Sequence, residues 1–472
     1  MADIEYGKDL QVHETNIEGL VWLDLPVHQD NRGWFKENWQ RVKMLLLGLP
    51  DFGPGQNNIS FNATRGTTRG IHAEPWDKYV SVGNGRIFGA WVDLREGESF
   101  GQVFTLEVDP SKAVYVPRGV GNSFQALEDN TVYTYLVNDH WAPDNNDYTF
   151  VNLGCSVVNI LWPVPLDEAE VSEKDKNHPH ISEVTPIKPR KTLIIGANGQ
   201  LGKALQIAFP NAEFVDRSTF NINDRFTWGY RNWRQYETII NAAAYTKVDV
   251  AETSEGKVEA WKANATAVKD LTKLAHENNL ALVHVSSDYV FDGTIKNHLE
   301  DEPFSPLGVY GQTKAAGDLV VSTLPKHYII RTSWVVGDGP NFVRTMAKLA
   351  VDGINPAVVD DQIGLLTFTE DIANGIKHLL CTNAPYGTYN LTNGGNAASW
   401  HHIARKVFEL TGNDPDRVGT QTTQDSIDAK ISGGNPVSPR PLQSTLDLAK
   451  IKATGYIPRD WETALRDYLQ QS

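Results

Sequence analysis

The pattern of hydrophobic and polar residues changes near residue 165 of this 472-residue chain. Before that point, short runs of β-branched and aromatic residues are separated by turn residues such as Gly83-Asn84-Gly85 and Asp109-Pro110. Many short strands at this spacing are typical of an antiparallel sandwich or barrel, so an all-β fold is expected here. The runs that predict strands are Tyr79–Val82, Arg86–Val92, Val103–Val108, Ala113–Val116 and Val132–Val137.

After about Lys191 the pattern is different, because apolar strands alternate with amphipathic helices. Such alternation predicts a parallel, doubly wound α/β sheet. The predicted strands are Thr192–Ile195, Thr238–Ala242, Leu280–Ser286 and His327–Arg331. The predicted helices are Gly202–Ala208, Val258–Glu277 and Lys314–Ser322.

Residues 165–190 separate the two patterns and contain many charges, four prolines and little apolar periodicity. This composition predicts a solvated linker. The expected domains are therefore residues 1–165, a linker at 166–190, and residues 191–472. A charged surface helix at Asp167–Lys176 within one domain is the alternative interpretation.

Composition narrows the classes of partner. The net charge of −15 disfavours nucleic acid and anionic membranes, so an anionic ligand requires a local cluster of Arg and Lys. Only Cys155 and Cys381 are present, without metal-ligand spacing, which favours a reducing cytoplasm. No signal peptide or membrane-spanning apolar run is apparent. We expect a soluble cytoplasmic protein that binds neither nucleic acid nor membrane.

A glycine-rich turn follows the first strand of the α/β half. Glycines let the backbone approach a pyrophosphate, and the helix that follows directs N–H groups at it. Asp216, about twenty residues further, is placed to bind the adenosine ribose, whereas Arg217 would neutralise a 2′-phosphate. The choice between NADH and NADPH therefore stays open. The predicted cofactor contacts in the turn are Gly196, Asn198, Gly199, Gln200, Leu201 and Gly202.

Tyr310 and Lys314 are the candidate catalytic pair of this half. Four residues apart, they share one helix face. A nearby ammonium is expected to lower the pKa of the Tyr310 phenol, which makes it an acid for a carbonyl oxygen. Ser287, at the end of a preceding strand, supplies a hydroxyl for the same carbonyl. These residues predict hydride transfer between a nicotinamide and a sugar-like carbonyl.

This half resembles the dTDP-4-dehydrorhamnose reductases, a Rossmann-fold family of the short-chain dehydrogenase/reductase type. The resemblance implies that Ala242, Ala243 and Tyr245 line the cofactor, while Asp288, Trp334 and Arg440 lie near the nucleotide-sugar. The motifs that carry it are Ile195–Gly202, Asn241–Thr246 with Val248-Asp249 and Ala251-Glu252, Ser286–Gly293, Tyr310–Lys314, Arg331–Trp334, Asp361-Gln362-x-Gly364 and Arg440–Ser444.

The N-terminal half resembles the dTDP-4-dehydrorhamnose 3,5-epimerases, a family of cupin-like jelly rolls. The matching segments are Asp30–Glu37, Gln56–Asn58, Arg69–His72, Val92–Arg95, Pro117–Gly119, Ala142-Pro143 and Trp162-Pro163. The resemblance implies that His72 is the base, Tyr135 the opposing acid and Lys78 the stabiliser of the enolate. The residues that it implies for nucleotide and pyrophosphate binding are Arg32, Glu37, Gln56, Asn58 and Arg69.

Three departures from the epimerase pattern put its activity in question. Asn122 replaces a second histidine, Leu136 replaces a lysine, and the Asp that pairs with the base is missing before Trp162. Asn152, Asp144 and Asp147 are the candidates for that missing partner. A histidine without its carboxylate loses orientation and stabilisation of its charged form. A metal site is not expected, because His72, Glu74 and Asp77 do not form a convergent set.

Both halves indicate one pathway. The sequence predicts a bifunctional enzyme that epimerises dTDP-4-dehydro-6-deoxyglucose at C3 and C5 and then reduces its 4-keto group with NADPH or NADH, giving dTDP-L-rhamnose. The alternative is a reductase whose jelly roll only binds nucleotide-sugar or mediates dimerisation. A homodimer is expected from the resemblance. The sequence leaves the nucleotide and the configuration at C4 open.

Overall fold

The structure is a computed structural model that describes residues 4–140, 148–228 and 231–471. It divides into two compact units, Met1–Pro189 and Arg190–Ser472. Among the described helices, none combines the length and the apolar character that are needed to cross a lipid bilayer.

The N-terminal unit is built from two large antiparallel sheets and one hairpin, which confirms the predicted jelly roll. Its helices are α1 Arg41–Leu46 and α2 Glu173–Lys176. Its strands are β1 Gln11–Glu14, β2 Val21–Asp24, β3 Val27–Asp30, β4 Gly33–Lys36, β5 Gln56–Asn62, β6 Thr68–Ala73, β7 Lys78–Asn84, β8 Ile87–Asp93, β9 Val103–Val108, β10 Lys112–Val116, β11 Val120–Ala126, β12 Thr131–Val137 and β13 Thr149–Phe150. The first sheet has the strand order β1-β2-β10-β7-β12-β5 and the second β13-β6-β11-β8-β9, while β3 and β4 form the hairpin.

Alternation along the strands explains why the two sheets pack face to face. Val80 and Val82 of β7 are fully buried in one apolar cluster with Trp91 of β8 and Phe124 of β11. Residues two apart point to the same face of a strand, so this cluster joins the inner faces of both sheets. Fully burying side chains of this size stabilises the fold by about 1.5–3 kcal/mol each.

The predicted linker is wrong, because residues 166–189 pack against the second sheet. The Thr68 backbone N–H donates to the Glu170 carbonyl at 2.9 Å, and the Ile187 N–H donates to that of Leu94 at 2.8 Å. Ile181 is only 4% exposed and joins a cluster with Ile71. These contacts attach an irregular chain one apolar residue at a time, so no periodic pattern marks them in the sequence. Of the alternative helix at Asp167–Lys176, only Glu173–Lys176 is helical, as the short helix α2.

The C-terminal unit contains the predicted parallel sheet, flanked by helices. Its helices are α3 Gln200–Ala208, α4 Ser254–Trp261, α5 Ala267–Glu277, α6 Val309–Val321, α7 Phe342–Val351, α8 Thr369–Cys381, α9 Trp400–Leu410, α10 Thr423–Ser432, α11 Ala449–Ala453 and α12 Trp461–Gln471. Its strands are β14 Lys191–Ile195, β15 Glu213–Val215, β16 Tyr236–Asn241, β17 Ala281–Ser287, β18 His327–Thr332, β19 Val335–Val336, β20 Ala357–Val359, β21 Ile363–Gly364, β22 Thr367–Phe368, β23 Gly387–Asn390, β24 Ala398–Ser399 and β25 Gly419–Gln421.

The order of the main sheet is β15-β14-β16-β17-β18-β23, with every pairing parallel. Leu193 and Ile195 of β14 enter one apolar cluster, whereas Ile194 enters another. Both faces are thus covered, which explains the continuous apolar strands in the sequence. The chain passes to opposite sides of β14, and in open α/β sheets such a switch point forms the ligand crevice at the carboxyl ends of the strands.

A test of the packed segment is the substitution Ile181→Ala. Removing a buried isoleucine is expected to destabilise the N-terminal unit by about 2–5 kcal/mol, through lost apolar burial and the cavity left behind. Urea denaturation of the whole chain, followed by near-UV circular dichroism, measures the effect. Val157→Ala is the matched control, since Val157 is 73% exposed. Equal midpoints for the two variants would contradict the packing of residues 166–189 on the second sheet.

Candidate active sites

The glycine turn brings the backbone of three elements into close contact. Gly196 follows β14 with a φ of +90°, and a Cβ there would lie 2.9 Å from the Ala243 nitrogen. A Cβ on Gly202 would lie 2.1 Å from the Gly196 carbonyl oxygen, so α3 can approach the turn only with glycine at this position. The beginning of α3 therefore directs free backbone N–H groups at the crevice.

A cavity of about 1180 Å³ lies at these strand ends. Gly202 does not line it but packs behind Gly196. The other predicted cofactor residues all line the cavity: Gly196, Asn198, Gly199, Gln200, Leu201, Asp216, Arg217, Ala242, Ala243 and Tyr245. The catalytic candidates Ser287, Tyr310 and Lys314 line the same cavity, as do Asp288 and Trp334. The turn and the chemical groups thus face one space large enough for a dinucleotide.

Asp216 follows β15 and is held by its neighbours. Its carboxylate accepts hydrogen bonds from the Ser218 hydroxyl at 2.6 Å, the Ser218 N–H at 2.9 Å and the Asn198 side-chain amide at 2.6 Å. The two bonds from Ser218 contribute most to lowering the pKa of Asp216 to about 2. The carboxylate is therefore ionised and held at the cavity wall beside the exposed Arg217.

The environment of Tyr310 corrects the expected direction of its pKa. Burial raises the pKa of the phenol to about 12, and a hydrogen bond with Ser287 offsets this only in part. The prediction that Lys314 lowers this pKa is wrong, because the ammonium instead donates to the Val285 carbonyl at 2.6 Å. Tyr310 is therefore fully protonated near neutral pH.

Lys314 is almost completely buried at the base of the cavity. Burial lowers its pKa to about 8, although the nearby Asp318 acts in the opposite direction. Its Nζ also lies 3.5 Å from Nε2 of His284, a buried residue that the sequence reasoning missed. Asn241 donates to the other ring nitrogen of His284 at 3.2 Å. The sequence signal for His284 was a histidine within the apolar strand that leads to Ser287.

The substrate-side candidates divide between two adjoining cavities. Trp334 lines the larger cavity and stacks on Trp400 at 3.7 Å. Arg440 lines a second cavity of about 460 Å³, which shares Trp400 with the first. Its guanidinium contacts Asp249 at 2.7 Å. Asp288 is buried beside Ser287, and this burial raises its pKa to about 6.

In the N-terminal unit, His72 has a carboxylate partner, although the Asp expected before Trp162 is missing from the sequence. The His72 Nε2 lies 2.9 Å from Oδ1 of Asp175, which belongs to α2 in the mispredicted linker. Asn152, one proposed substitute, instead donates to the backbone carbonyls of Lys176 and His178 and so anchors this segment. The other substitutes, Asp144 and Asp147, lie outside the described residues.

Asp175 is ionised, and in this form it can orient His72. Burial opposes ionisation, but the hydrogen bond and charge of His72 outweigh it and lower the pKa of the carboxyl below its usual value. The Ser172 hydroxyl caps α2 by accepting from the Asp175 N–H at 3.1 Å. Asp175 is thus fixed by both its backbone and its side chain.

Lys78 lies near both His72 and Tyr135. The buried Lys78 ammonium pairs with Glu74, lies 3.5 Å from the His72 carbonyl oxygen, and lies 5.8 Å from the Tyr135 ring centre. Burial and the Glu74 charge raise the pKa of Tyr135, while Arg69 acts in the opposite direction. The three predicted catalytic residues are therefore assembled around one buried cation.

The structure accounts for the substitution of histidine by Asn122. Its side-chain oxygen accepts from the Trp91 indole at 3.0 Å, and its amide donates to the Tyr133 hydroxyl at 3.0 Å. Asn122 therefore satisfies polar groups in the core between the sheets. Leu136 packs on a separate apolar cluster that contains Tyr79.

The predicted nucleotide-binding residues form two groups. Gln56 donates to Asn58 at 2.7 Å on β5, and Arg69 donates to Asn62 at the end of the same strand. Arg32 is 85% exposed and pairs with Asp30 on the β3–β4 hairpin. Glu37, just beyond that hairpin, pairs with Lys43 at 2.7 Å.

His178 was also missed by the sequence reasoning. It follows α2, and its ring stacks on Phe150 at 4.7 Å and lies 5.5 Å from the ring of His72. Burial and the proximity of His72 lower its pKa. No pattern in the sequence brings residue 178 next to residue 72, because only the fold of the segment after β13 does so.

Two family models match the chain. The model described as dTDP-4-dehydrorhamnose 3,5-epimerase covers residues 14–183, and the one described as RmlD substrate binding domain covers residues 190–472. An RmlC homolog from Streptococcus pyogenes serotype M6 is 51% identical over 40% of this chain and 99% of its own length. A dTDP-4-dehydrorhamnose reductase from Aggregatibacter actinomycetemcomitans is 36% identical over 59% of this chain and 97% of its own length. The chain belongs to both families.

The dTDP-4-dehydrorhamnose reductase of Bacillus anthracis, solved in complex with NADP, extends the comparison to structure. It is 30% identical, with a TM-score of 0.55, and the alignment covers 60% of this chain and 100% of that protein. The predicted fusion of an epimerase domain and a reductase domain of dTDP-rhamnose synthesis is thereby confirmed. The epimerase-family match includes Asp175, in agreement with its packing on the jelly roll.

The close approach at Gly202 gives a test of the dinucleotide site. Gly202→Ala places a Cβ against the Gly196 carbonyl and must displace the turn, so binding of reduced nicotinamide dinucleotides should weaken at least about tenfold, ~1.4 kcal/mol. Fluorescence titration of the folded variant measures this. In the control Gly419→Ala, the nearest neighbour of the added Cβ is 3.8 Å away. Unchanged affinity in Gly202→Ala would show that this turn does not hold the dinucleotide.

Proposed function

We propose that this chain catalyses two consecutive reactions, 3,5-epimerisation of dTDP-4-dehydro-6-deoxyglucose and NADPH-dependent reduction of the 4-keto product to dTDP-L-rhamnose. The observation that carries the epimerase assignment is the 2.9 Å contact between His72 and Asp175. The alternative of a non-catalytic jelly roll depended chiefly on the absence of this carboxylate. Membership of the reductase family supports the second reaction.

In the proposed epimerisation, His72 removes the proton next to the ketone. Asp175 holds the imidazole in one orientation and stabilises the imidazolium that forms. Lys78 stabilises the negative charge that develops on the ketone oxygen. Tyr135 returns a proton from the opposite face, and its raised pKa keeps the phenol protonated for this role.

In the proposed reduction, a bound nicotinamide supplies the hydride for C4 of the sugar. Tyr310 donates its proton to the carbonyl oxygen as negative charge develops there, and Ser287 hydrogen-bonds the same oxygen. Lys314 holds the nicotinamide ribose. The glycine turn positions the dinucleotide phosphates at the beginning of α3.

We propose NADPH rather than NADH as the preferred cofactor. The relative solved from Bacillus anthracis binds NADP. The exposed Arg217 lines the cavity and would pair with a 2′-phosphate, while Asp216 is engaged by Ser218 and Asn198. Charge-assisted contacts of this kind favour the phosphorylated ribose.

The functional form is proposed to be a cytoplasmic homodimer that associates through the N-terminal unit. Strand β5 lies at the edge of its sheet, and Ile59 and Phe61 on it are 70% and 59% exposed. An exposed apolar edge strand is typical of a surface that pairs with another chain. The two cysteines are free thiols, which suits a reducing compartment.

The decisive experiment incubates the whole chain with dTDP-4-dehydro-6-deoxyglucose in deuterated water. Without nicotinamide, we expect deuterium at C3 and C5; with NADPH, we expect dTDP-L-rhamnose, with NADH less effective. Reduction without exchange would leave the jelly roll as a binding or dimerisation module. Exchange without NADPH oxidation would refute the reductase assignment.

Asp175→Asn tests the catalytic pair. Asparagine keeps the shape but cannot stabilise an imidazolium, so the exchange rate should fall by a factor on the order of 10³. Mass spectrometry of the recovered sugar measures this rate, and near-UV circular dichroism serves as the folding check. The matched control is Glu173→Gln on the same helix, since the Glu173 side chain is 83% exposed. Exchange at the wild-type rate in Asp175→Asn would remove this carboxylate from the mechanism.

The reductase should lose activity on the alkaline side because of Lys314. Its pKa of about 8 means that the ammonium is present below pH 8 and lost above it, whereas Tyr310, at about 12, stays protonated. The kcat/KM for NADPH, which reports the free enzyme, should therefore decline above about pH 8. Lys314→Arg should move this decline to higher pH. A flat profile up to pH 10 in the wild type would contradict the assignment.

A further inference from the structure

A buried histidine next to the proposed catalytic pair has no hydrogen-bond partner for either ring nitrogen among the described residues. The His178 side chain is only 7% exposed, and both its Nδ1 and its Nε2 lack hydrogen bonds there. Burying polar nitrogens without partners costs stability, so such a group calls for a physical reason. Stacking on Phe150 holds the ring in place without satisfying either nitrogen.

The unpartnered ring faces the pair formed by His72 and Asp175. The His178 Nε2 lies 3.8 Å from Oδ1 of Asp175, and the same oxygen lies 2.9 Å from Nε2 of His72. One ligand atom from each of the three residues lies within 4.8 Å of the other two. Two other acids lie near His72 in sequence, and both have partners. Glu74 pairs with Lys78. Asp77 accepts hydrogen bonds from the Arg118 backbone N–H and the Asn138 side-chain amide.

Two imidazoles and one carboxylate are a donor set that Zn²⁺ prefers. Zinc binds these atoms at about 2.0–2.2 Å in tetrahedral geometry, which requires ligand atoms roughly 3.4 Å apart. The observed separations reach this arrangement with side-chain shifts of a few tenths of an ångström to about 1 Å. The His72 side chain is 32% exposed, so an ion can reach the site from solvent and keep a water as fourth ligand.

We propose that His72, Asp175 and His178 form a binding site for Zn²⁺ or a similar divalent transition-metal ion, and that the bound ion blocks epimerisation. A metal on Nε2 of His72 replaces the proton that this nitrogen donates to Asp175. The neutral ring then carries its proton on Nδ1, so Nδ1 has no lone pair to accept the substrate proton. The metal also takes the carboxylate that stabilises the imidazolium. The inhibitory part of this inference depends on the proposed epimerase function, whereas the metal site does not.

Direct binding tests the site on the full-length chain after treatment with EDTA. Cobalt(II) is the spectroscopic probe, because nitrogen and oxygen ligands in low-symmetry geometry give visible absorption bands. We expect one Co²⁺ per chain, displaced by Zn²⁺, and an affinity at least tenfold weaker in His178→Gln. The control His28→Gln changes an exposed histidine on β3 and should bind like the wild type. Asp175→Asn is a second variant, in case His178→Gln does not fold, and it should also lose the cobalt absorption bands.

The exchange assay tests the consequence. Zn²⁺ at the concentration that displaces cobalt should suppress deuterium exchange at C3 and C5, and EDTA should restore it. NADPH oxidation, with dTDP-4-dehydrorhamnose supplied by a separate epimerase, should be unaffected. Equal cobalt binding by wild type and folded His178→Gln overturns the site, and exchange unaffected by bound zinc overturns the inhibition. Absence of exchange in the metal-free wild type would instead refute the epimerase proposal, while the cobalt spectra still decide the metal site.

Discussion

A buried carboxylate must be paired, and the pairing of Asp175 with His72 is the constraint on which the N-terminal unit depends. The contact joins α2, in the last segment of the unit, to β6 in the second sheet. An isolated carboxylate in that position would be costly, and an isolated histidine would lack orientation. The same contact therefore ties residues 166–189 to the jelly roll and supports the chemistry proposed for it.

The C-terminal unit resolves a comparable conflict between burial and charge by different means. Lys314 is buried with a lowered pKa, and its ammonium is satisfied by a backbone carbonyl rather than by a carboxylate. Tyr310 beside it is neutral because its phenolate would be buried. Both groups are thus held near the protonation state that proton donation to a carbonyl requires. Perturbed groups of this kind concentrate at functional sites.

The candidate sites of the two units are assembled differently. In the parallel sheet, the turn after β14 and the end of β17 meet at one edge, so Gly196 and Ser287 lie close although they are far apart in sequence. In the jelly roll, the reactive side chains come from strands of both sheets and from the segment that follows them. The second arrangement depends on tertiary packing to a greater extent.

Much of the reductase site could be predicted from the sequence because its signals are local. The glycine turn, Asp216 and the Tyr310–Lys314 spacing each report the geometry of one strand–turn–helix unit or one helix face. The direction of the Tyr310 pKa could not be read in this way. A spacing of four residues brings two side chains to one face, but it does not determine which neighbour the ammonium contacts or how deeply the phenol is buried.

By itself, the sequence determined the two fold classes and their order, because hydrophobic periodicity reports local structure directly. It also determined the families, through motifs that match residue by residue. Only the tertiary structure decided the partner of His72 and the position of His178. Residues 166–189 have no periodic pattern, since each apolar residue anchors an irregular chain at a separate point on the sheet. A contact that spans 103 residues and depends on such anchors leaves no local signal.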